Sequence, residues 1–199
     1  MNYSGLLVGL GNPGTRYERT RHNCGFALVS ALLELAEQSG VVQQVNGAKF
    51  SCELWRVSMP QVRGTWLAAR PLTFMNLSGR CVQPLLAWHK MQPEQLVVVH
   101  DELDLPPGKL RFKFGGGNAG HNGLKSIAEL LGTSDFYRLR IGIGHPQHKD
   151  DVLAWVLGHP DVEDRARLQD AVSNTLLTFI TFANNGLEDA AKFARSIGK

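Results

Sequence analysis

Six residues of this 199-residue chain are of types that act on a polar substrate and stand where loops leave apolar segments: Asn12, His22, Asn76, Asp101, His121 and Asn122. Asparagine is a neutral donor and acceptor, suited to carbonyls, sugar hydroxyls and waters more than to free phosphate or metal. A histidine can take a proton from water near neutral pH, and a carboxylate can orient it. Each residue also has a plainer reading. His22 serves equally as a surface histidine at a helix start. Asp101, closing "VVVHD", serves as a turn cap, and the three asparagines as helix N-caps.

The first of these residues lies in "LLVGLGNPGTRYERTRHNCG", residues 6–25. Its G-x-G-x-x-G matches the dinucleotide fingerprint. That fingerprint requires a helix straight after the glycines and an acid about 20 residues on, at the end of a second strand. Here the glycines run into "TRYERTRHN", Pro13 lacks the N–H that would meet a pyrophosphate, and Glu34 and Glu37 fall inside a helical pattern. The stretch is read instead as a functional loop at the carboxyl end of a strand, where open α/β sheets place their sites.

The surrounding elements fit that placement. "GLLVGL" and "QLVVVHDEL" read as buried strands, "KFSCELWRV", "GTWLAARP", "KLRFKF" and "YRLRIGIG" as further strands, and Arg138 and Arg140 share one face of the last. "FALVSALLELAEQSG", "LKSIAELLG" and most of the chain after Asp151 read as helix. So does "NLSGRCVQPLLAWHKM", where Pro84 must bend the helix or mark its first turn. "GGGNAGHNG" is a glycine-rich loop. The expected fold is a single α/β domain over 1–199, with a mixed twisted sheet and helices on both faces, as in phosphorylase- and hydrolase-like proteins.

Composition narrows the function classes. No apolar stretch reaches the ~20 residues of a membrane span, no signal peptide is expected, and three widely spaced cysteines suggest neither disulfides nor zinc. A reducing cytosol is the default compartment. The net charge of +3 is uneven: residues 109–149 hold seven Lys/Arg against two acids, and residues 150–199 hold five against eight. This allows a polyanionic partner without requiring one. His145 and His148 lack a third ligand, so no metal is expected.

"VGLGNPG..Y..TRHN.G", "FMNLSG", "HDELDLPPG", "GGG..GHNGLKS" and "RLRIGIGHP", in this order and spacing, resemble bacterial peptidyl-tRNA hydrolases over almost the whole chain, most weakly at 40–65 and 160–199. The resemblance implies a monomeric, cytoplasmic, metal- and cofactor-free esterase that frees tRNA from a peptide by cleaving the ester at its terminal ribose. It implies His22 as the base activating water and Asp101 as its orienting partner. It further implies Asn12 on the peptide side of the substrate, Asn76 at the ester or terminal nucleotide, and Asn122 at the water or ribose. Tyr17 and Phe74, otherwise ordinary core aromatics, lie against the 3′ end by the same resemblance. Lys113 and Arg140, otherwise solvated strand charges, match a pair that clamps the tRNA 5′-phosphate. His121 is left only lining the site.

Cys24, two residues from His22, is discounted as a nucleophile because cysteines are commonly buried apolar residues and the family uses none there. The glycine-rich loop departs from the family's frequent "GGGHGGHNG" at Asn118 and Ala119. Ala119 is expected to need an ordinary backbone angle. Two other classes remain open beside the tRNA esterase: a small-molecule hydrolase or phosphorylase of similar fold, and a non-catalytic RNA-binding module.

Overall fold

The computed structural model describes residues 2–197. Seven strands form one mixed sheet in the order β2-β3-β4-β1-β5-β7-β6. They are β1 (Gly5–Gly9), β2 (Val41–Val45), β3 (Cys52–Ser58), β4 (Trp66–Pro71), β5 (Leu96–Glu102), β6 (Leu110–Phe114) and β7 (Tyr137–Gly142). The central strands β4, β1, β5 and β7 run parallel, and antiparallel pairs close both edges. Being covered on both faces, β1 and β5 are buried throughout, and β1 and the first four residues of β5 read as continuous apolar runs.

Among the described residues six helices cover the sheet: α1 (Cys24–Ser39), α2 (Gly79–His89), α3 (Asn122–Leu131), α4 (Val152–Leu157), α5 (Val162–Asn185) and α6 (Leu187–Ser196). Leu28, Val29 and Leu32 of α1 pack with Phe179 of α5 and Ala190 of α6 against Leu7, Val97 and Leu139. On the opposite face Val82 and Leu85 of α2 pack with Leu124 and Ile127 of α3 against Leu6, Val8 and Val98. The expected mixed α/β sheet with helices on both faces is the fold observed.

Two local readings change. Residues 41–45 form an edge strand that the sequence pattern does not announce. All five are exposed or half-buried, so no alternation of apolar and polar residues marks the strand. Pro84 sits inside α2, past its first turn. Lacking an N–H, it leaves the Arg80 carbonyl without its usual helical donor.

The first two glycines of "GLGNPG" serve packing, and Gly14 serves a backbone turn at φ +101°. After β1 the chain makes two single 3-10 turns, Thr15–Tyr17 and Arg21–Asn23, before α1 begins. A Cβ at Gly9 would lie 2.1 Å from the Gly25 carbonyl oxygen, and one at Gly25 would lie 2.4 Å from the Leu10 nitrogen. The start of α1 therefore rests backbone to backbone on the end of β1, which brings His22, just upstream of α1, over the carboxyl ends of the parallel strands.

Candidate active site

Asp101, 3% exposed near the end of β5, is the centre of the site. His22 Nδ1 lies 2.8 Å from its Oδ1 and 2.9 Å from its Oδ2. His121 Nε2 lies 3.0 Å from Oδ1 on the other side. The tautomers follow from the remaining partners. His121 is the N-cap of α3, and its Nδ1 accepts from the backbone N–H groups of Gly123 (3.1 Å) and Leu124 (3.3 Å). An acceptor Nδ1 carries no proton, so the proton is on Nε2 and is donated to Asp101. The ionised carboxylate accepts from His22 Nδ1–H as well. That leaves His22 Nε2 as an unprotonated acceptor that no described residue engages.

Electrostatics maintain this arrangement. Burial by itself pushes the Asp101 carboxyl up, but the electrostatic attraction of His22 and His121 and the hydrogen bonds they donate outweigh it and hold the group well below the usual carboxylate range. His100, beneath His121 with ring centroids 4.9 Å apart, donates from Nδ1 to the Asp101 carbonyl at 2.7 Å. Burial, then the neighbouring His121, push its pKa well below that of a free histidine, so this imidazole stays neutral. Burial also pushes the Cys24 thiol up, with the Asp101 charge adding to the effect, which removes it as a nucleophile.

Asn12 is buried and fixed at three atoms. Its N–H donates to Asn23 Oδ1 at 2.9 Å, its carbonyl accepts from Asn23 Nδ2 at 3.0 Å, and its Oδ1 accepts from the Met75 N–H at 2.8 Å. With the side-chain oxygen committed, the amide Nδ2 is the group available to a ligand. Asn76, exposed in the 3-10 turn Met75–Leu77, follows the residue bound by Asn12. Asn122, exposed, is the first residue of α3. The next residue, Gly123, packs so closely on Met75 that a Cβ there would lie 2.6 Å from its sulfur. Neither Asn76 nor Asn122 is an N-cap. Phe74, 55% exposed, meets half-buried Tyr17 edge-on at 6.4 Å.

Lys113 and Arg140 lie apart from this group, on the edge formed by β6 and β7. Arg140 stands directly opposite Arg111, and Lys113 directly opposite Arg138, so four cations share one face. Arg140 Nε donates to buried Glu102 at 2.7 Å. Arg111, Lys113 and Arg140 line a cavity of about 340 Å³ with Arg195 of α6 and Asp104. Burial, then Arg140 and Arg138, lower the pKa of the Lys113 ammonium. A second cavity, of about 470 Å³, lies at the opposite ends of the strands, among Ser4, Gln95 and Tyr137, away from His22.

His121 is the site residue whose role the sequence reading missed. It looks like a loop residue, yet one nitrogen caps α3 and the other holds Asp101. The signal was its place directly before a helix, where a side-chain acceptor caps. Asn23, which locks the Asn12 backbone, was overlooked within "TRHN". Ala119 contradicts its expectation: its φ is +46° and that of Gly120 is +75°. The Asn118 carbonyl accepts from the His121 N–H at 2.8 Å, so the loop turns here through two left-handed residues, as a type I′ turn does, and Ala119 bears the strain.

Ligand atoms of His22, Asp101 and His121 lie within 4.8 Å of one another, a spacing a metal ion could use. In the present hydrogen-bonding pattern the two imidazole nitrogens facing Asp101 carry protons. A metal would have to replace both.

The peptidyl-tRNA hydrolase family model matches residues 6–198. The peptidyl-tRNA hydrolase of Desulfovibrio desulfuricans is 63% identical over 194 residues, covering 98% of this chain and 85% of that one. That of Nitratidesulfovibrio vulgaris (strain Miyazaki F) is 48% identical, covering 98% of each chain. The crystal structure of peptidyl-tRNA hydrolase from Acinetobacter baumannii superposes with a TM-score of 0.87 at 36% identity, covering 99% of this chain and 98% of that one. This chain belongs to the peptidyl-tRNA hydrolase family.

Proposed function

We propose that the protein hydrolyses the ester joining a peptide, or an N-blocked amino acid, to the 3′-terminal ribose of tRNA, with His22 as general base. The observation that carries this reading is the His121–Asp101–His22 chain. The helix cap fixes the His121 proton on Nε2, and Asp101 holds the His22 proton on Nδ1, leaving Nε2 to take a proton from water. As the proton arrives, the Asp101 carboxylate stabilises the imidazolium. No serine takes part, and Cys24 is held protonated, so water attacks the ester carbonyl directly. The developing oxyanion calls for a fixed neutral donor, a contribution of roughly 10²–10³ in rate. Asn12, Asn76 and Asn122 are the amides around the pair. Asn12, with only its N–H₂ group uncommitted, faces the peptide side. Tyr17 and Phe74 offer rings to the unpaired 3′ bases.

Lys113 and Arg140 bind a phosphate of the tRNA, Arg140 through its planar fork and Lys113 as a point charge. The protein acts as a cytoplasmic monomer without metal or cofactor. Among the described residues no helix is long and apolar enough to cross a membrane. A small-molecule hydrolase would have no use for the four-cation edge, and a passive RNA-binding module none for the Asp101 relay.

The test is release of N-acetylated amino acid from tRNA in the presence of a chelator, by the parent and by His22→Ala. The parent turns over. The variant loses roughly 10²–10⁴ in kcat while tRNA affinity holds, because a base acts in the transition state. A tenth or more of parental kcat remaining in His22→Ala refutes the assignment. Activity lost on chelation and restored by one specific ion refutes the metal-free reading.

A further inference from the structure

One large charged side chain has no place in this mechanism. Arg138, the second residue of β7, is 1% exposed, among the most deeply buried large side chains of the molecule. Among the described residues no carboxylate pairs with it. Its Nη1 donates to the Gly117 carbonyl, its Nη2 reaches the Ser134 carbonyl at 3.5 Å, and its Nε is buried with no partner. Its guanidinium carbon lies 4.7 Å from the centre of the Phe136 ring. The neighbouring cations are Lys113, directly across the strand pair, and Arg140, two residues on along the same face. A buried charge that meets a ring, backbone dipoles and like charges but no counter-ion is costly. Its retention calls for a task that a neutral residue would not perform.

The path of the chain supplies that task. β6 ends at Phe114, at the end of the sheet away from Asp101, because it runs antiparallel to β7. The glycine-rich segment 115–120 must then travel back along the face of the sheet to reach His121. It is tied at its start by the Gly115 N–H to the Phe136 carbonyl at 2.9 Å. Four of its six residues have positive φ: Gly115, Gly116, Ala119 and Gly120. Such a segment has little intrinsic preference for one path. Between Gly115 and the Asn118–His121 turn its described side-chain anchor is the Arg138 guanidinium on Gly117. Lys113 crosses the loop as well: a Cβ at Gly116 would lie 2.6 Å from its Nζ. Four residues beyond Gly117, His121 receives the loop and passes its position to Asp101 and His22.

We propose that Arg138 is a positioning residue. It pins the glycine-rich loop by the Gly117 carbonyl, and so sets where His121 holds Asp101 and hence how His22 is presented to water. A guanidinium suits the task because its planar fork holds its donors in fixed directions on one rigid group, whereas the donors of an ammonium rotate on a flexible stem. The proposal rests on the reading of His22 and Asp101 as the catalytic pair.

The test uses Arg138→Lys and Arg138→Met in the full chain, with two substrates. One is N-acetylaminoacyl-tRNA, and the other is the same acyl group on a short 3′-CCA oligonucleotide that lacks the tRNA body. Backbone hydrogen exchange over residues 115–121 is measured alongside, without substrate. On the short substrate kcat falls about threefold in Arg138→Lys and about tenfold in Arg138→Met, with KM within twofold of the parent. Exchange over 115–121 accelerates in the same order while that of β1 and β5 is kept. Unchanged exchange over 115–121 in both variants overturns the proposal whatever the activity. So does an unchanged kcat on the short substrate with a raised KM for tRNA, which would make Arg138 one more phosphate-binding charge. If Arg138→Met does not fold, Arg138→Lys decides alone, and parental kcat with parental loop exchange in it overturns the proposal. Failure of the catalytic reading is separately visible, as turnover retained by His22→Ala.

Discussion

The two ends of the 115–121 loop handle buried charge in opposite ways. At the His121 end a single carboxylate, Asp101, lies between two imidazoles that both donate to it. It is satisfied by these donors without any ligand. At the β6–β7 edge cations stand directly opposite cations, Arg111 against Arg140 and Lys113 against Arg138, with Glu102 answering one of the four. Like charges set opposite one another on a sheet destabilise it, and an anion brought in from outside relieves them. The first end is complete in the free protein, whereas the second keeps like charges facing each other, which is the arrangement an anion from outside would relieve. Chemistry and affinity are therefore expected to separate by region.

The most severe way to break the first end is Asp101→Asn. His121 has its proton on Nε2 because α3 needs Nδ1 as a cap, so it keeps the side-chain oxygen of residue 101. The amide N–H₂ then takes the place of Oδ2, 2.9 Å from His22 Nδ1, and donates to it. His22 is driven to the tautomer with its proton on Nε2, the nitrogen that must accept one. The expected loss in kcat is about 10²–10⁴, with KM for tRNA little changed. An unchanged kcat across neutral pH would reduce Asp101 to a turn residue.

At the other end Lys113→Ala and Arg140→Ala should raise the KM for full-length tRNA. For each phosphate that is no longer neutralised, the slope of log affinity against log salt should become shallower by about 0.7–0.9. Removing the 5′-phosphate from the substrate should mimic both variants. Arg140→Ala carries a second cost, since it strands buried Glu102. It should therefore lower the melting temperature where Lys113→Ala does not. Unchanged affinity and salt slope in both variants would leave the edge a set of solvated charges.

The division between the two ends also decided what could be read from sequence. Six of the seven strands, α1 and α3 to within a residue or two, the helical character of the chain after Asp151, and the pairing of His22 with Asp101 were legible from apolar runs, loop chemistry and five ordered motifs. Lys113 and Arg140 were legible as a pair, but their company was not. That Arg111 and Arg138 face them depends on the register of β6 against β7, and a shift by one residue would have turned them to the other face. His121 was seen and left without a role, because its two partners lie on different elements and neither is implied by "GHNG". The edge strand 41–45 was invisible because its burial does not alternate. Pro84 left two readings open because propensity treats a helix-interior proline as a boundary, and burial of Cys81, Val82, Leu85 and Leu86 on either side of it removes the first-turn reading by carrying α2 through.

Acid separates the regions by stability. His100, beneath the relay, is buried and neutral, with a pKa lowered in the fold. The unfolded chain therefore binds a proton at this residue that the folded chain does not, once pH drops below about 6.5. Asp101, also lowered in the fold, adds a second loss below about pH 4. Both signs agree: stability is full near neutrality and falls on acidification, first through His100. The melting temperature of the parent should decline from pH 7 to pH 5, and His100→Phe should flatten that decline even if it starts lower. An equal slope in the variant would assign the acid sensitivity elsewhere.

The smallest expected effect lies in the segment that joins the two regions. Ala119 occupies φ +46°, the first central position of the turn that delivers His121. A residue with a Cβ bears about 1–2 kcal/mol of strain there. Glycine removes that strain but gives back about 0.5–1 kcal/mol through the greater freedom of the unfolded chain. Ala119→Gly should thus stabilise the protein by about 0.5 kcal/mol, a rise in melting temperature of about 1–2 °C for a domain of this size. Its effect on rate runs the other way if the turn helps to hold His121. With glycine at 119 the segment is restrained mainly where Arg138 holds Gly117 and Lys113 crosses Gly116, so the loop should exchange its amides faster and kcat should fall by less than twofold. A more stable variant with slightly lower kcat would place part of His121's positioning in the strained alanine. A variant with higher stability and unchanged kcat would place all of it in Arg138 and the helix cap. Lower stability would mean that the left-handed angle at residue 119 is compensated by contacts of its methyl group, and that the turn is not strained at all.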